Sequence, residues 1–309
     1  MAIMNFPGLF KPEYFYQPHR LLNRLLTPQR KAHPGLTEEK LPWGLSIQVH
    51  GMEEHGQILA VLGVVDLAVT EVLWRLADRG EMVVDVGANI GYMTAALAAK
   101  IGQGGQVWAF EAHPEIFKEL QWNVDRWQQI LPQTAFHLQQ VAVSDQTGTL
   151  TLGIPQDFDR NRGLAFVINS GKQSSVIASP AISQVQVPST MLDDCLPTSP
   201  GIGVLKLDVE GHELNVLRGA KHLLHNRRIR DCVFEQHDPY PSAVTDELEA
   251  AGYQVFRIHR QFWRPSLLPP DSPIQPVKWL PTSFLATLDP DRALDRCQRL
   301  GWQIFQKFL

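Results

Sequence analysis

A chain of 309 residues, 44% of them hydrophobic, has room for one large α/β domain or two small ones and ample apolar material for a core. Its formal net charge of −4 gives no electrostatic footprint for wrapping nucleic acid, and the dense basic cluster Arg227, Arg228 and Arg230 reads as the solvated end of a helix. No apolar run reaches the ~20 residues of a membrane span; Cys195, Cys232 and Cys297 lie far apart without a C-x-x-C, which fits a reducing cytoplasm and no structural zinc.

In chain order, residues 1–45 read as an irregular stretch broken by Pro34 and Pro42, and 1–50 as an N-terminal arm ahead of one domain over 51–309. Prolines and charges interrupt its apolar residues, among them Tyr14, Phe15, Leu21 and Leu22, so the arm is not a signal peptide. It is expected to pack over its own domain, peripheral membrane contact being its other use. The apolar spacing predicts a helix over 64–79 and a buried strand over 82–86. An alanine-rich helix over 92–100 stops at Gly102, a strand covers 106–110, and a helix over 114–127 has proline in its first turn. A third strand is expected over 136–143, then β-hairpins and loops over 145–190, with strands at 149–154 and 183–188. Strand 203–208, helix 212–224, strand 231–236, helix 241–251 and strands 253–259 and 283–288 complete the series. This alternation predicts a mainly parallel seven-stranded sheet with helices on both faces and the last strand as an antiparallel edge. The proline-rich 264–281 is expected to form a semi-rigid lid that, with the arm, covers the substrate pocket.

Ligands in such sheets collect at the carboxyl ends of strands, where Asp85, Glu111, Ser144, Asp145, Asp208, Glu210 and His237 all fall. Gly87 and Gly91 let backbone pass close beneath a ligand, and Glu111 is placed to accept bonds from two ribose hydroxyls. A dinucleotide site needs G-x-G-x-x-G around its pyrophosphate, but Asn89 stands where the second glycine would sit, and Asp85 would repel phosphate. S-adenosylmethionine (SAM) carries an ammonium and a sulfonium and no phosphate, so a carboxylate favours it. SAM, not NAD, is the expected cofactor.

A second motif runs Lys206-Leu207-Asp208-Val209-Glu210-Gly211-His212-Glu213, followed by Leu217-Arg218-Gly219-Ala220. With Asp85-Val-Gly-Ala-Asn-Ile-Gly91, Phe110-Glu-Ala-His-Pro114, Ala142-Val143-Ser144-Asp145 and Phe284-Leu285-Ala286, it resembles the FkbM family of class I SAM-dependent methyltransferases over about residues 80–288. Ser283 departs from the asparagine common before that last segment. The resemblance implies a Rossmann-like α/β fold and O-methylation of a sugar or another small hydroxylated acceptor, with no nucleic-acid partner. An N-methyltransferase of RNA or protein and a non-catalytic SAM-binding module are the competing readings.

The cofactor is assigned to Asp85, Gly87, Asn89, Gly91, Glu111, Val143, Ser144 and Asp145. Methyl transfer requires an aligned oxygen nucleophile and a group to take its proton, for which Asp208, Glu210, His212 and His237 are the catalytic candidates. Glu213 reads as a first-turn acid, Asp238-Pro239-Tyr240 as a turn, and no residue is assigned to a metal.

Overall fold

The computed structural model describes residues 11–26, 35–158, 160–168, 181–273 and 282–306. The arm is more ordered than its composition suggested: helices α1 (Pro12–Tyr16) and α2 (Pro18–Leu26) precede a hairpin of β1 (Leu36–Lys40) and β2 (Ser46–His50), then α3 (Glu54–Leu62). The polar sequence of β1 hides a strand that exists because β2 pairs with it, and β2 is anchored by the fully buried Ile47 and Val49.

Next come α4 (Leu67–Leu76), β3 (Met82–Val86), α5 (Tyr92–Ile101), β4 (Gln106–Phe110) and α6 (Pro114–Ile130), close to the expected bounds. The strand expected over 136–143 divides: β5 (Ala135–Gln139) ends the large sheet, while β6 (Ala142–Val143) turns into a second one. That smaller sheet has the order β6-β9-β7-β8, formed with β7 (Gly148–Pro155), β8 (Phe166–Val167) and β9 (Ala181–Thr190). After α7 (Leu192–Cys195) and β10 (Ile202–Leu207), the helix expected over 212–224 is broken into α8 (Glu213–Arg218) and α9 (Lys221–His225). The break falls at Gly219, where a Cβ would run into the carbonyl of Ser144. β11 (Ile229–Gln236), α10 (Ala243–Ala250), β12 (Gln254–Arg260), β13 (Pro265–Leu268), β14 (Thr282–Thr287) and α11 (Pro290–Gln298) follow. Arg230, expected in a solvated cluster, is instead ion-paired with Glu81 and Asp231.

The large sheet has the order β13-β12-β14-β11-β10-β3-β4-β5. Strands β5, β4, β3, β10 and β11 run parallel. β14 is antiparallel to its neighbours but lies inside the sheet, between β11 and β12, where Phe284, Leu285 and Ala286 are buried. The antiparallel edge is β13, built from the start of the segment expected to be a lid; 274–281 lies outside the described residues. This is a Rossmann-like α/β sheet whose order reverses between β3 and β10, the place where such folds open a ligand crevice. Among the described residues, no single helix is long and apolar enough to cross a membrane.

Candidate functional site

Side chains in a strand alternate between faces, so every second residue points the same way. On the face covered by α4 and α5, the strands contribute Val83, Val107, Val204, Val233, Ile258 and Leu285 to one apolar cluster. Two or four positions on, toward the carboxyl edge of the parallel strands, the same face carries Asp85, Glu111, Lys206 with Asp208, Glu235, Arg260 and Ser283. The core thus gives way to a polar row along one edge of the sheet.

One end of the row is built on the β3–α5 turn. Gly87, Asn89 and Gly91 all have positive φ, and a Cβ on Gly87 would collide with the carbonyl of Asp208. Gly91 instead makes room for Leu120 and Trp127 of α6, so its role is packing. Glu111 accepts from the backbone N–H of Asn89 at 2.9 Å and of His113 at 2.8 Å. Burial pushes its carboxyl up to about 7, against the pull of those two bonds. Asp85 is fully buried, accepting from Thr94 Oγ1 at 2.6 Å and facing Lys206 Nζ at 3.6 Å. Lys206 also reaches Asp208 at 3.1 Å; burial opposes its charge, but Asp208 and Asp85 outweigh that and hold the ammonium above its ordinary range.

The four catalytic candidates separate. His212, expected beside the acceptor, is buried and lies 2.9 Å from Ser144 Oγ. Ser144 donates to Asp145, so its oxygen accepts from His212 Nε2–H, which leaves the buried Nδ1 as an acceptor with no partner. Asn215 completes this group by donating to Asp145 at 3.0 Å, and Val143 packs buried beside it. Burial lowers the His212 pKa. The separation arises at Glu210 and Gly211, both with positive φ, which turn the chain so that 210 and 212 face apart. Glu213 pins that turn by accepting from the N–H of Val209 and Gly211, each at 3.2 Å, and burial pushes its carboxyl up to about 7.

Asp208, Glu210 and His237 do come together. Glu210 Oε2 and His237 Nε2 are 3.7 Å apart, and this contact raises the imidazole pKa despite partial burial. A left-handed, non-glycine Glu210 is the kind of backbone strain found at working sites. Two further acids join them: Glu235, and Asp66 at the N-terminus of α4. Neither was singled out from sequence; the available signal for Glu235 was its place two residues beyond Val233. Surrounding protein raises the Asp66 carboxyl and Asp208 adds repulsion, although Asp66 itself remains solvent-exposed. Among the described residues, no three His, Cys, Asp or Glu side chains are grouped to hold a metal ion. At the far end of the row Arg260 pairs with the buried Glu13 of α1 at 2.7 Å, and Phe15 meets Trp263 edge-on with ring centres 5.0 Å apart.

The Methyltransferase FkbM domain model matches residues 85–255, more than half of the chain. Methyltransferase 1 of Beauveria bassiana is 28% identical over 195 residues, covering 59% of this chain and 76% of its own. Hexuronic acid methyltransferase AglP of Haloferax volcanii is 29% identical over 178 residues, covering 57% of this chain and 64% of its own. The crystal structure of methyltransferase FkbM from Methylobacillus flagellatus aligns with a TM-score of 0.41 at 19% identity, over 68% of this chain and 44% of that one. The chain belongs to the FkbM family of methyltransferases, with S-adenosylmethionine as cofactor.

Proposed function

We propose that this methyltransferase acts on a hydroxyl of a sugar, a polysaccharide or another small natural-product acceptor, by in-line transfer. The carrying observation is the division of the strand-end row, with an open carboxylate-rich half, Asp208, Glu210 and His237, beside the glycine turn. A sugar-acting relative, the hexuronic acid methyltransferase, supports the acceptor class.

SAM supplies an electrophilic methyl group. The residues present fit it: Glu111 keeps lone pairs beyond those its two backbone donors use, and His212 Nδ1 is a buried acceptor without a partner among the described residues. Asp85, Gly87 and Asn89 form the cradle of the methionine end, Gly91 serving by packing the turn onto α6, and Glu111 accepts from the ribose. Val143 and Ser144 flank the adenine, while Asp145 and His212 read its amino edge. This assigns His212 to cofactor recognition and removes it from proton transfer. Asp208 and the Glu210–His237 pair orient the acceptor hydroxyl, since fixing a nucleophile at near-attack distance is the main part of such a reaction. Three free cysteines, two of them buried, support a reducing, cytoplasmic setting.

Incubation with methyl-labelled SAM and a panel of methyl glycosides is the test. The expected products are alkali-stable O-methyl ethers; label found in base-labile methyl esters or in N-methyl groups of RNA or protein would replace this reading.

A further inference from the structure

Glu235 has a defined place in the sheet. The β10–β11 register, which pairs Leu207 with Phe234, puts it level with Asp208, and the β11–β14 register sets it opposite Ser283. It is partly buried, and its carboxyl makes no side-chain hydrogen bond or ion pair among the described residues.

The charges around it are unbalanced. Asp208 and Glu210 face it from the end of β10 and Asp66 from the start of α4. The cation that acts on it, Lys206, is held by Asp208 and Asp85. Arg260 of β12 is held by Glu13 of α1, and His237 leans on Glu210. β14 contributes the uncharged Ser283. Burial and then repulsion from Asp208 and Glu210 push the Glu235 carboxyl up to about 9.

We propose that Glu235 holds a proton in the ligand-free protein and releases it when the sulfonium charge of the cofactor is bound beside Asp208, presenting a carboxylate to the acceptor. A cation within ~4–6 Å lowers a carboxyl pKa by about 1–3, and the upper part of that range brings this one to neutrality. The acceptor hydroxyl then passes its proton to Glu235 as its oxygen–carbon bond forms and the carbon–sulfur bond breaks. The product complex holds a neutral acid beside a neutral thioether, so charge and protons balance. The base function rests on the O-methyl reading; the proton release does not.

S-adenosylhomocysteine (SAH) shares the ribose, adenine, ammonium and carboxylate and lacks only the sulfonium charge. Proton release from Glu111 on ribose binding is therefore common to both ligands, and the difference between them isolates Glu235. Calorimetry at pH 7.5 in phosphate and in Tris is expected to show about half a proton or more released per SAM beyond that released per SAH. Glu235→Gln should remove this difference and keep SAH affinity within about threefold. Equal release with both ligands, or a difference that persists in Glu235→Gln, would overturn the proposal. If that variant fails to fold, carbon NMR of labelled wild-type protein serves: a glutamate carboxyl should titrate lower with SAM than with SAH, and identical titrations of every glutamate refute it. Ester or amine products would sink the hydroxyl-acceptor reading and leave the proton release standing.

Discussion

Under the proposed ribose assignment, Glu111 couples cofactor binding to pH. Ribose hydroxyls donate hydrogen bonds, so they need the ionised carboxylate, whereas burial favours its protonated form up to about 7. SAH affinity should therefore rise between pH 6 and pH 8, by at most about tenfold per pH unit below 7, and level off above it. Glu111→Gln should give a flat profile and bind more weakly at pH 8 by about 1.5–3 kcal/mol, measured by titration calorimetry. A wild-type profile as flat as the variant's would remove Glu111 from ribose binding. At this scale motifs reveal some residues and conceal others. Glycine spacing pointed to the close backbone approach that the structure has between Gly87 and Asp208, because such an approach is a local property. His212 was misplaced because two adjacent left-handed residues, Glu210 and Gly211, reverse which way it faces.

Among elements, α1 and the β12–β13 turn meet at the far end of the strand-end row through Glu13–Arg260 and Phe15–Trp263. The ion pair is asymmetric: the Glu13 side chain is 2% exposed and that of Arg260 37%. Removing Arg260 strands a buried carboxylate, while removing Glu13 leaves a guanidinium that can turn to water. Arg260→Ala should accordingly cost about 3 kcal/mol in urea unfolding and Glu13→Ala about 1 kcal/mol or less. Equal costs would mean that α1 contributes no ordered burial. Elements buried on both faces, β3 and β10, were legible as apolar runs. The arm helices, the polar β1 and the edge strand β13 were not, because each depends on a neighbour distant in sequence or on pairing that composition does not display.

For the molecule as a whole, the raised carboxyls set the pH dependence of stability. Glu111 and Glu213 near 7 and Glu235 near 9 hold protons in the folded state that the unfolded chain gives up above about 4.5. Folded protein binds more protons across that window, so stability falls as pH rises from about 5 to 8. His113, His137 and His212, all lowered by burial, act in the opposite sense below about 6.5, but Glu53, Asp66 and Glu71, also raised by burial, add to the fall. The melting temperature should drop by several degrees between pH 5.5 and pH 8, at about 2–4 °C per kcal/mol for a chain of this size. A flat or rising curve in scanning calorimetry would show that these acids are solvated in the folded state. The features legible without the fold were local: the alternation of core strands and helices, the glycine turn after β3, and the acids at strand ends, since each depends on near-neighbour periodicity and sterics. Association came from the fold: β14 inside the sheet, His212 with Ser144, Glu210 with His237, and Glu235 among three carboxylates. Register and helix placement bring together groups far apart in the chain, and the charge a side chain carries follows from that company.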